Sequence, residues 1–207
     1  MSRIVEPGSG AGDGLGAAVD ALRAGQAVGL PTDTVYVLAV NPFVPGASDR
    51  LFALKRRPRD LDLPVLVASL DQALGLVTSL PEPARRLMER CWPGPLTLVL
   101  PRDPDLAADL GDDDLTIGVR MSDHPVLRAL CERVGPLGVA AAGIHGEREL
   151  ETAEEVSDTF GGAVPVVVDG GRCAGLPATV VDATGEDPHL IREGRLPWSD
   201  ALEAIKG

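Results

Sequence analysis

Short apolar runs alternate along this chain with segments in which apolar residues recur at helical spacing. Residues 125–134 show that spacing clearly, since Leu127, Leu130, Cys131 and Val134 share one face. The same criteria predict helices over 17–24, 83–92 and 198–205, and a helix whose last residues are 51–55. A further helix is predicted to begin at the Thr152-x-x-Glu155 capping box and to end at residue 161. Apolar runs predict strands over 27–30, 35–40, 64–69, 96–100, 116–120, 137–142, 164–169, 179–182 and 189–191. Helices and strands interleave without a linker, which predicts a single α/β domain.

The length of 207 residues suits one sizeable core rather than two. We expect a flexible, glycine-rich tail over 1–13 and one domain over 14–207. No apolar run reaches the ~18–20 residues that cross a bilayer, and the first residues lack the apolar segment of a signal peptide. We therefore expect a cytoplasmic protein without a membrane association.

Charge and cysteine content narrow the classes of function. The 19 Lys and Arg residues against 31 Asp and Glu give a net charge of −12, which opposes strong nucleic-acid binding because phosphate contacts require clustered bases. The acidic run over 103–114 is interpreted as a solvated loop. The spacing of Cys91, Cys131 and Cys173 fits no zinc motif. Cys91 and Cys131 instead fit core packing on apolar helix faces.

Residues 31–34 are predicted to form a turn between two strands. Three residues with hydroxyl groups occupy alternate positions in the longer segment Pro31-Thr-Asp-Thr-Val-Tyr36. In an extended backbone Thr32, Thr34 and Tyr36 would point to the same face, where they could bind a polar ligand. The alternative is a half-buried strand in which the threonines only favour β structure. The sequence leaves both interpretations open.

Basic residues stand at the ends of several predicted elements. Lys55 and Arg57 follow a helix, where they could clamp phosphates or simply complement the helix dipole. Arg120 ends a buried strand, which suits either a cleft or a pairing with a carboxylate. Arg192 also stands at the end of an apolar run, so it too suits either a cleft or a pairing with a carboxylate. The glycine-dense segment 169–181 suits either an anion site or an ordinary turn. We expect these four bases to converge on one concave surface.

Common catalytic and nucleotide-binding motifs are absent from the sequence. Neither G-x-x-x-x-G-K-[ST] nor G-x-G-x-x-G occurs, which excludes a P-loop and a Rossmann fingerprint. His124, His145 and His189 form no grouping with cysteines and carboxylates, so no metal site or nucleophile triad is predicted. Chemistry at the basic surface would therefore rest on positioning and charge.

The order of several segments along the chain is more specific than any one of them. They are Pro31-Thr-Asp-Thr-Val-Tyr36, Lys55-x-Arg57-Pro58, Trp92-Pro-Gly-Pro-Leu-Thr97, Gly118-Val-Arg120 with His124-Pro125, and Gly175-Leu-Pro-x-Thr-Val-Val181 before Arg192-x-Gly194. Together they resemble the YrdC/TsaC family in its single-domain form, over about residues 14–196. The resemblance implies an α/β fold with a twisted, mostly parallel or mixed sheet and flanking helices around a deep concave groove.

The resemblance also implies a reaction and a set of binding residues. The family consists of L-threonylcarbamoyladenylate synthases, which join L-threonine, bicarbonate and ATP into threonylcarbamoyl-AMP and pyrophosphate for the modification of adenosine 37 in certain tRNAs. It implies Mg²⁺ carried by ATP rather than by protein ligands, no covalent nucleophile, and tRNA-modification proteins as partners that use the product. ATP contacts are implied for Lys55, Arg57, Thr116 and Arg192, and L-threonine contacts for Thr34, Tyr36 and Arg120. Arg120 would face the substrate carboxylate.

Five positions depart from the family pattern. Ala141 and Gly143 replace the Ser and Asn of a Ser-Ala-Asn motif, and Ala178 replaces the first residue of Ser-Thr-Val. Val37 stands where glycine is usual, and Ala68 where histidine is usual. Each lost hydrogen bond to a charged group would weaken catalysis by about 10–150-fold. Restoring the side chains at 141, 143 and 178 is expected to raise pyrophosphate release.

Three functions stay open at this point. The leading interpretation is a threonylcarbamoyl-AMP synthase, a nucleotidyltransferase whose activity the departures would weaken. A non-catalytic paralogue that binds a nucleotide, an acyl-adenylate or RNA is the alternative from another class. A relative that transfers carbamoyl groups, like the related domain of hydrogenase-maturation proteins, is the third.

Overall fold

The computed structural model describes residues 1–8 and 15–206 of the chain. The strands are β1 (Arg3–Val5), β2 (Val28–Leu30), β3 (Val37–Val40), β4 (Val65–Leu66), β5 (Leu96–Pro101), β6 (Thr116–Arg120), β7 (Leu137–Ala141), β8 (Val166–Val168), β9 (Thr179–Asp182) and β10 (His189–Arg192). The helices are α1 (Gly16–Arg23), α2 (Ala47–Lys55), α3 (Leu70–Leu74), α4 (Glu82–Cys91), α5 (Pro125–Val134), α6 (Ala153–Phe160) and α7 (Trp198–Lys206), with a 3₁₀ turn at Gly161–Ala163. In this described part of the chain, no helix combines the length and the hydropathy needed to cross a bilayer.

The described strands form one mixed sheet in the order β1-β8-β2-β3-β7-β4-β6-β5-β9-β10. The pairs β1–β8, β2–β8, β4–β6 and β5–β9 are parallel, and the other five neighbouring pairs are antiparallel. The α/β architecture with a mixed sheet is therefore confirmed, although parallel pairs do not predominate. The reason is local, because short connections join β2 to β3 and β9 to β10, and such connections favour antiparallel neighbours.

The start of the chain differs from the flexible tail that was expected over 1–13. Arg3–Val5 forms the edge strand β1, which pairs in parallel with β8. The Arg3 N–H donates to the Pro165 carbonyl at 2.8 Å, and the Asp169 N–H donates to the Val5 carbonyl at 2.8 Å. The remainder of the predicted tail, from residue 9 onward, lies outside the described residues, as do residues 14 and 207 of the predicted domain.

Apolar layers cover both faces of the sheet. On one face, α1 and α5 pack over β2, β7 and β8 in a cluster that includes Leu22, Leu127 and Cys131. On the other face, α2, α4, α6 and α7 pack against the sheet in a second cluster. Cys131 is fully buried, as predicted, and Cys91 is half-buried against the second cluster. The residues of the candidate site therefore come from the ends of strands and helices.

The acidic loop over 103–114 is anchored, whereas the sequence suggested a solvated excursion. Leu110 is 2% exposed, and its carbonyl accepts from the Leu63 N–H at 2.7 Å. Arg102 is buried beneath the loop and donates to main-chain carbonyls within it. Arg59 pairs with two carboxylates of the same loop. These contacts tie the loop to the segment after α2, which forms a wall of the cavity described next.

Candidate functional site

A cavity of about 430 Å³ lies against the part of the sheet in which the strand order is β7-β4-β6-β5-β9. Its lining includes Gly118, Ala140 and Val180, whose small or apolar side chains let a ligand approach the backbone closely. Further walls come from the loop after α2 and from the loop after β7. All four residues predicted to contact ATP line this cavity, namely Lys55, Arg57, Thr116 and Arg192.

Lys55 is the last residue of α2 and is 5% exposed. Its ammonium donates to the main-chain carbonyl of Ala141, at 2.5 Å, and to that of Gly143. Burial lowers the pKa of Lys55 to about 8, the charge of Arg57 adds to this effect, and the Glu149 carboxylate opposes it. The protein thus holds a buried cation at the cavity wall, with one N–H left for a ligand.

Arg57 and Arg192 bring two further cations to the cavity from distant parts of the sequence. Arg57 donates to the carbonyls of Leu61 at 2.7 Å and Asp62 at 3.0 Å, which fixes it to its own loop. Arg192 donates to the Ala178 carbonyl at 2.9 Å. Burial lowers the pKa of Arg57, Asp62 raises it, and the charge of Arg192 lowers it further. Neither guanidinium forms an ion pair within the described residues, so both are available to an anion.

Thr116 begins β6, and its hydroxyl donates to the Asp113 carboxylate at 2.5 Å. The hydroxyl oxygen is left as an acceptor at the cavity. Asp62, Glu147 and Glu149 also line the cavity, although the sequence analysis did not single them out. Among the residues that the structure describes, no group of three or more His, Cys, Asp or Glu side chains could hold a metal ion. Magnesium carried by ATP stays a prediction.

The segment 31–36 folds into a turn rather than an extended run with three hydroxyls on one face. Thr32 Oγ1 closes it by accepting from the N–H groups of Thr34 at 3.0 Å and Val35 at 3.1 Å, and by donating to the Val35 carbonyl at 2.6 Å. Such bonds from a hydroxyl to the nearby backbone compete with strand formation. The turn places Thr34 Oγ1 where it accepts from Arg120 Nη1 at 3.0 Å.

Tyr36 is fully buried behind this turn rather than exposed at the cavity. Its hydroxyl accepts from the Gly170 N–H at 3.1 Å and donates to the Gly171 carbonyl at 3.0 Å. A Cβ on Gly170 would lie 2.6 Å from the Pro31 ring, so this close approach requires glycine. Burial raises the pKa of Tyr36, which keeps the hydroxyl neutral. Tyr36 therefore positions the glycine loop, and its contact with L-threonine stays a prediction.

Arg120 is held by a carboxylate that the sequence analysis did not single out. Arg120 is 5% exposed. Its Nη2 lies 2.7 Å from Asp33 Oδ1, and its Nε donates to the Gly94 carbonyl at 3.0 Å. Of the two interpretations for Arg120, pairing with a carboxylate is confirmed. Burial lowers the pKa of Arg120, whereas Asp33 raises it. Burial alone would raise the pKa of Asp33, but Arg120 and the Ser122 hydroxyl hold it below its usual range.

The prediction that four bases converge on one concave surface holds for three of them. Lys55, Arg57 and Arg192 line the same cavity. Arg120 does not line it, yet the charge of Arg192 lowers the pKa of Arg120 after the larger effect of burial. Because charge interactions weaken with distance, this effect indicates that Arg192 lies near Arg120 as well as at the cavity. The site therefore has a cationic cavity and, next to it, a buried cluster of an arginine, a carboxylate and a hydroxyl.

The five departures from the family pattern occupy different surroundings. Ala141 and Gly143 line the cavity, where their main-chain carbonyls, rather than side-chain hydroxyl or amide groups, meet the Lys55 ammonium. Val37 pairs with Ala141 across β3 and β7, so a larger side chain on one strand faces a smaller one on the other. The remaining two, Ala68 and Ala178, are buried and do not line the cavity.

Replacing Gly143 with asparagine is expected to destabilise the protein by about 1–3 kcal/mol. Gly143 has φ +123°, and a Cβ there would lie 2.6 Å from the Arg148 carbonyl oxygen. Gly146→Asn is the matched control in the same loop, because its φ is +84° and no heavy atom lies within 4 Å of the added Cβ. Urea unfolding of both variants measures the difference, and equal losses would contradict the strain at Gly143. Restoring asparagine at 143 is consequently not expected to raise activity, in contrast to the expectation from the resemblance.

Comparison with known proteins finds relatives over most of the chain. The family model described as Telomere recombination, for the Sua5, YciO and YrdC proteins, matches residues 20–194. A Mycobacterium tuberculosis protein, provisionally named a threonylcarbamoyl-AMP synthase, is 41% identical over 195 residues, which are 93% of this chain and 89% of that protein.

Solved structures give the same result at the level of the fold. P. abyssi Sua5 complexed with L-threonine has a TM-score of 0.89 and 32% identity, and the match covers 99% of this chain and 61% of that one. E. coli YciO has a TM-score of 0.87 and 26% identity, with 98% of this chain and 100% of that one covered. The sequence order of the motifs, the mixed sheet and the family model agree, and the chain belongs to the Sua5/YciO/YrdC family.

Proposed function

We propose that this chain is an L-threonylcarbamoyladenylate synthase, which converts L-threonine, bicarbonate and ATP into threonylcarbamoyl-AMP and pyrophosphate. The observation that carries the proposal is the meeting of Lys55, Arg57 and Arg192 at one cavity, beside the buried cluster of Thr34 and Arg120. Relatives that bear this enzyme name, such as the Shigella flexneri protein at 35% identity, support the same assignment.

The cations suit the phosphate chemistry that this reaction needs. The amine of L-threonine and bicarbonate would form a carbamate with loss of water, and a carbamate oxygen would then attack the α-phosphorus of ATP as pyrophosphate leaves. Negative charge shifts onto the leaving pyrophosphate, so fixed cations such as Lys55 and Arg57 would stabilise the transition state. Magnesium bound to the phosphates would supply further positive charge. The protein's own contribution is position and charge, without a covalent intermediate.

Small molecules, rather than RNA, are the proposed substrates of this site. The net charge of −12 opposes a phosphate-backbone footprint on the surface, whereas the cavity concentrates three of the bases. In this proposal the adenylate passes to proteins that modify adenosine 37 of tRNA. The cytoplasm, where tRNA and ATP meet, is the proposed compartment.

A pyrophosphate-release assay with the purified full chain tests the function. We expect release to require ATP, L-threonine and bicarbonate together, so that omitting any one of them abolishes the signal. Pyrophosphate release that is independent of L-threonine would contradict the assignment, because it would indicate another nucleotide reaction.

A non-catalytic, nucleotide-binding paralogue is the second candidate. It is favoured by one specific observation: Lys55 already donates to the carbonyls of Ala141 and Gly143, where the family pattern has polar side chains. Calorimetry separates the two candidates, since the synthase binds ATP and turns it over. Binding of ATP without any pyrophosphate release, in the presence of both co-substrates, would favour the paralogue.

A further inference from the structure

The loop between Ala142 and Leu150 places a carboxylate beside the Lys55 ammonium. The Leu150 N–H donates to the Ala142 carbonyl at 3.0 Å, so the loop closes on itself. A Cβ on Gly143 would lie 3.9 Å from the Glu149 Cα, which puts Glu149 next to the residue whose carbonyl accepts from Lys55. Burial lowers the pKa of Lys55, and the Glu149 charge opposes that effect, as expected of a carboxylate near the ammonium.

Glu149 differs from the other two carboxylates that line the cavity, Asp62 and Glu147. Asp62 Oδ1 already accepts from the Asp113 N–H at 3.3 Å, and Glu147 is exposed to solvent. Glu149 is half-buried, and it forms no ion pair within residues 1–8 and 15–206. Its carboxylate is therefore available to a cation that enters the cavity.

The position of Glu149 indicates which cation that is. Lys55 is 5% exposed and keeps one N–H for a ligand, and a phosphate of ATP bound there would lie beside Glu149 as well. The two negative groups would repel each other, whereas a divalent cation between them would attract both. Mg²⁺ prefers oxygen ligands and is usually bound by one or two carboxylates together with the phosphates of a substrate. The donor set thus fits a magnesium ion shared between ATP and the protein.

We propose that Glu149 binds the Mg²⁺ ion that ATP carries into the cavity, and that its charge opposes the binding of ATP without metal. This inference rests on the ATP binding of the proposed function and refines it, since the resemblance implies magnesium held by ATP alone. Lys55, Arg57 and Arg192 by themselves would favour the opposite order, because metal-free ATP carries more negative charge than its magnesium complex. The preference for one form of ATP therefore reports on Glu149.

Calorimetry with ATP tests the inference on the full chain, once with magnesium chloride and once with EDTA. We expect wild type to bind ATP about tenfold or more tightly with magnesium. Glu149→Gln should weaken binding about tenfold with magnesium. With EDTA it should tighten binding about threefold or more, because the phosphates no longer meet a carboxylate. Glu149→Asp keeps the charge on a shorter side chain and should retain part of the wild-type preference. Glu132→Gln, exposed on α5, is the matched control and should behave as wild type.

Several outcomes would overturn the inference. An unchanged preference in Glu149→Gln would mean that ATP alone carries the ion. Changes of the same sign in both buffers would mean that Glu149 only holds the loop or only repels phosphate. Tighter binding of ATP by wild type in EDTA, or no binding in either buffer, would also overturn it. The proposed function is judged separately by L-threonine-dependent pyrophosphate release from wild type. If release is present and the preference survives in Glu149→Gln, only the role of Glu149 is wrong.

Discussion

Replacing Arg120 with methionine is expected to lower the free energy of unfolding by about 3–5 kcal/mol, because it leaves a buried carboxylate without its partner. Asp33 loses its ion pair, and Thr34 and the Gly94 carbonyl lose their donors. Urea unfolding at neutral pH measures the loss, and Arg90→Met should change stability by about 0.5 kcal/mol or less. A loss below about 1 kcal/mol for Arg120→Met would contradict the structural role of the pair.

The pH dependence of this loss gives an independent check. The lowered pKa of Asp33 means that its contribution to stability is present above the unfolded-state pKa and is lost as pH falls through the folded-state pKa. Without Arg120, burial dominates and raises the pKa of Asp33, so protonation relieves the unpaired charge. The difference between wild type and Arg120→Met should therefore shrink as pH falls from about 7 to about 4.

Replacing Lys55 with methionine is expected to slow pyrophosphate release by about 10–150-fold. Lys55 is the most buried of the three cations at the cavity, and its ammonium has one N–H left for phosphate. Its pKa of about 8 is below the unfolded value, so burial of the charge costs stability fully below pH 8, and this cost fades as pH rises to the unfolded-state pKa. Methionine removes this cost together with the hydrogen bonds to the carbonyls of Ala141 and Gly143. Lys206→Met is the matched control on the exposed end of α7. Equal rates for the two variants would remove Lys55 from the site.

The activity of wild type should also fall as pH rises through about 8, because Lys55 then loses its proton. Bound phosphates favour the charged form and would move this midpoint upward. Lys55→Arg keeps its charge over the whole range, so whatever activity it retains should lack this alkaline decline. An identical decline in Lys55→Arg would assign the titration to another group.

Much of the fold follows from the apolar pattern, because burial on one face dictates element type. The helix over 125–134 and the strand over 116–120 have the predicted bounds, since their apolar positions match one period throughout. The turn over 31–34 was predicted, but the alternating hydroxyls of 31–36 do not share one face, because the Thr32 hydroxyl bonds the local backbone. Strand β1 was missed since a short apolar stretch beside a glycine-rich segment gives little periodic signal.

In the candidate site, too, the residues within sequence motifs were predicted, whereas contacts between distant residues were not. The motif order brought Lys55, Arg57 and Arg192 to one cavity correctly. It did not reveal Asp33, although the motif contains it, because the pairing with Arg120 joins residues 87 positions apart. No periodicity in the sequence indicates a contact between residues so far apart.

Mass spectrometry of one reaction tests the central claim most directly. Wild-type protein is incubated with ATP, L-threonine and ¹³C-bicarbonate, and the nucleotide products are separated. We predict an adenylate that contains L-threonine and carries the ¹³C label, formed together with pyrophosphate. ATP that is bound but yields no labelled adenylate would contradict the claim that this cavity is the active site of a synthase.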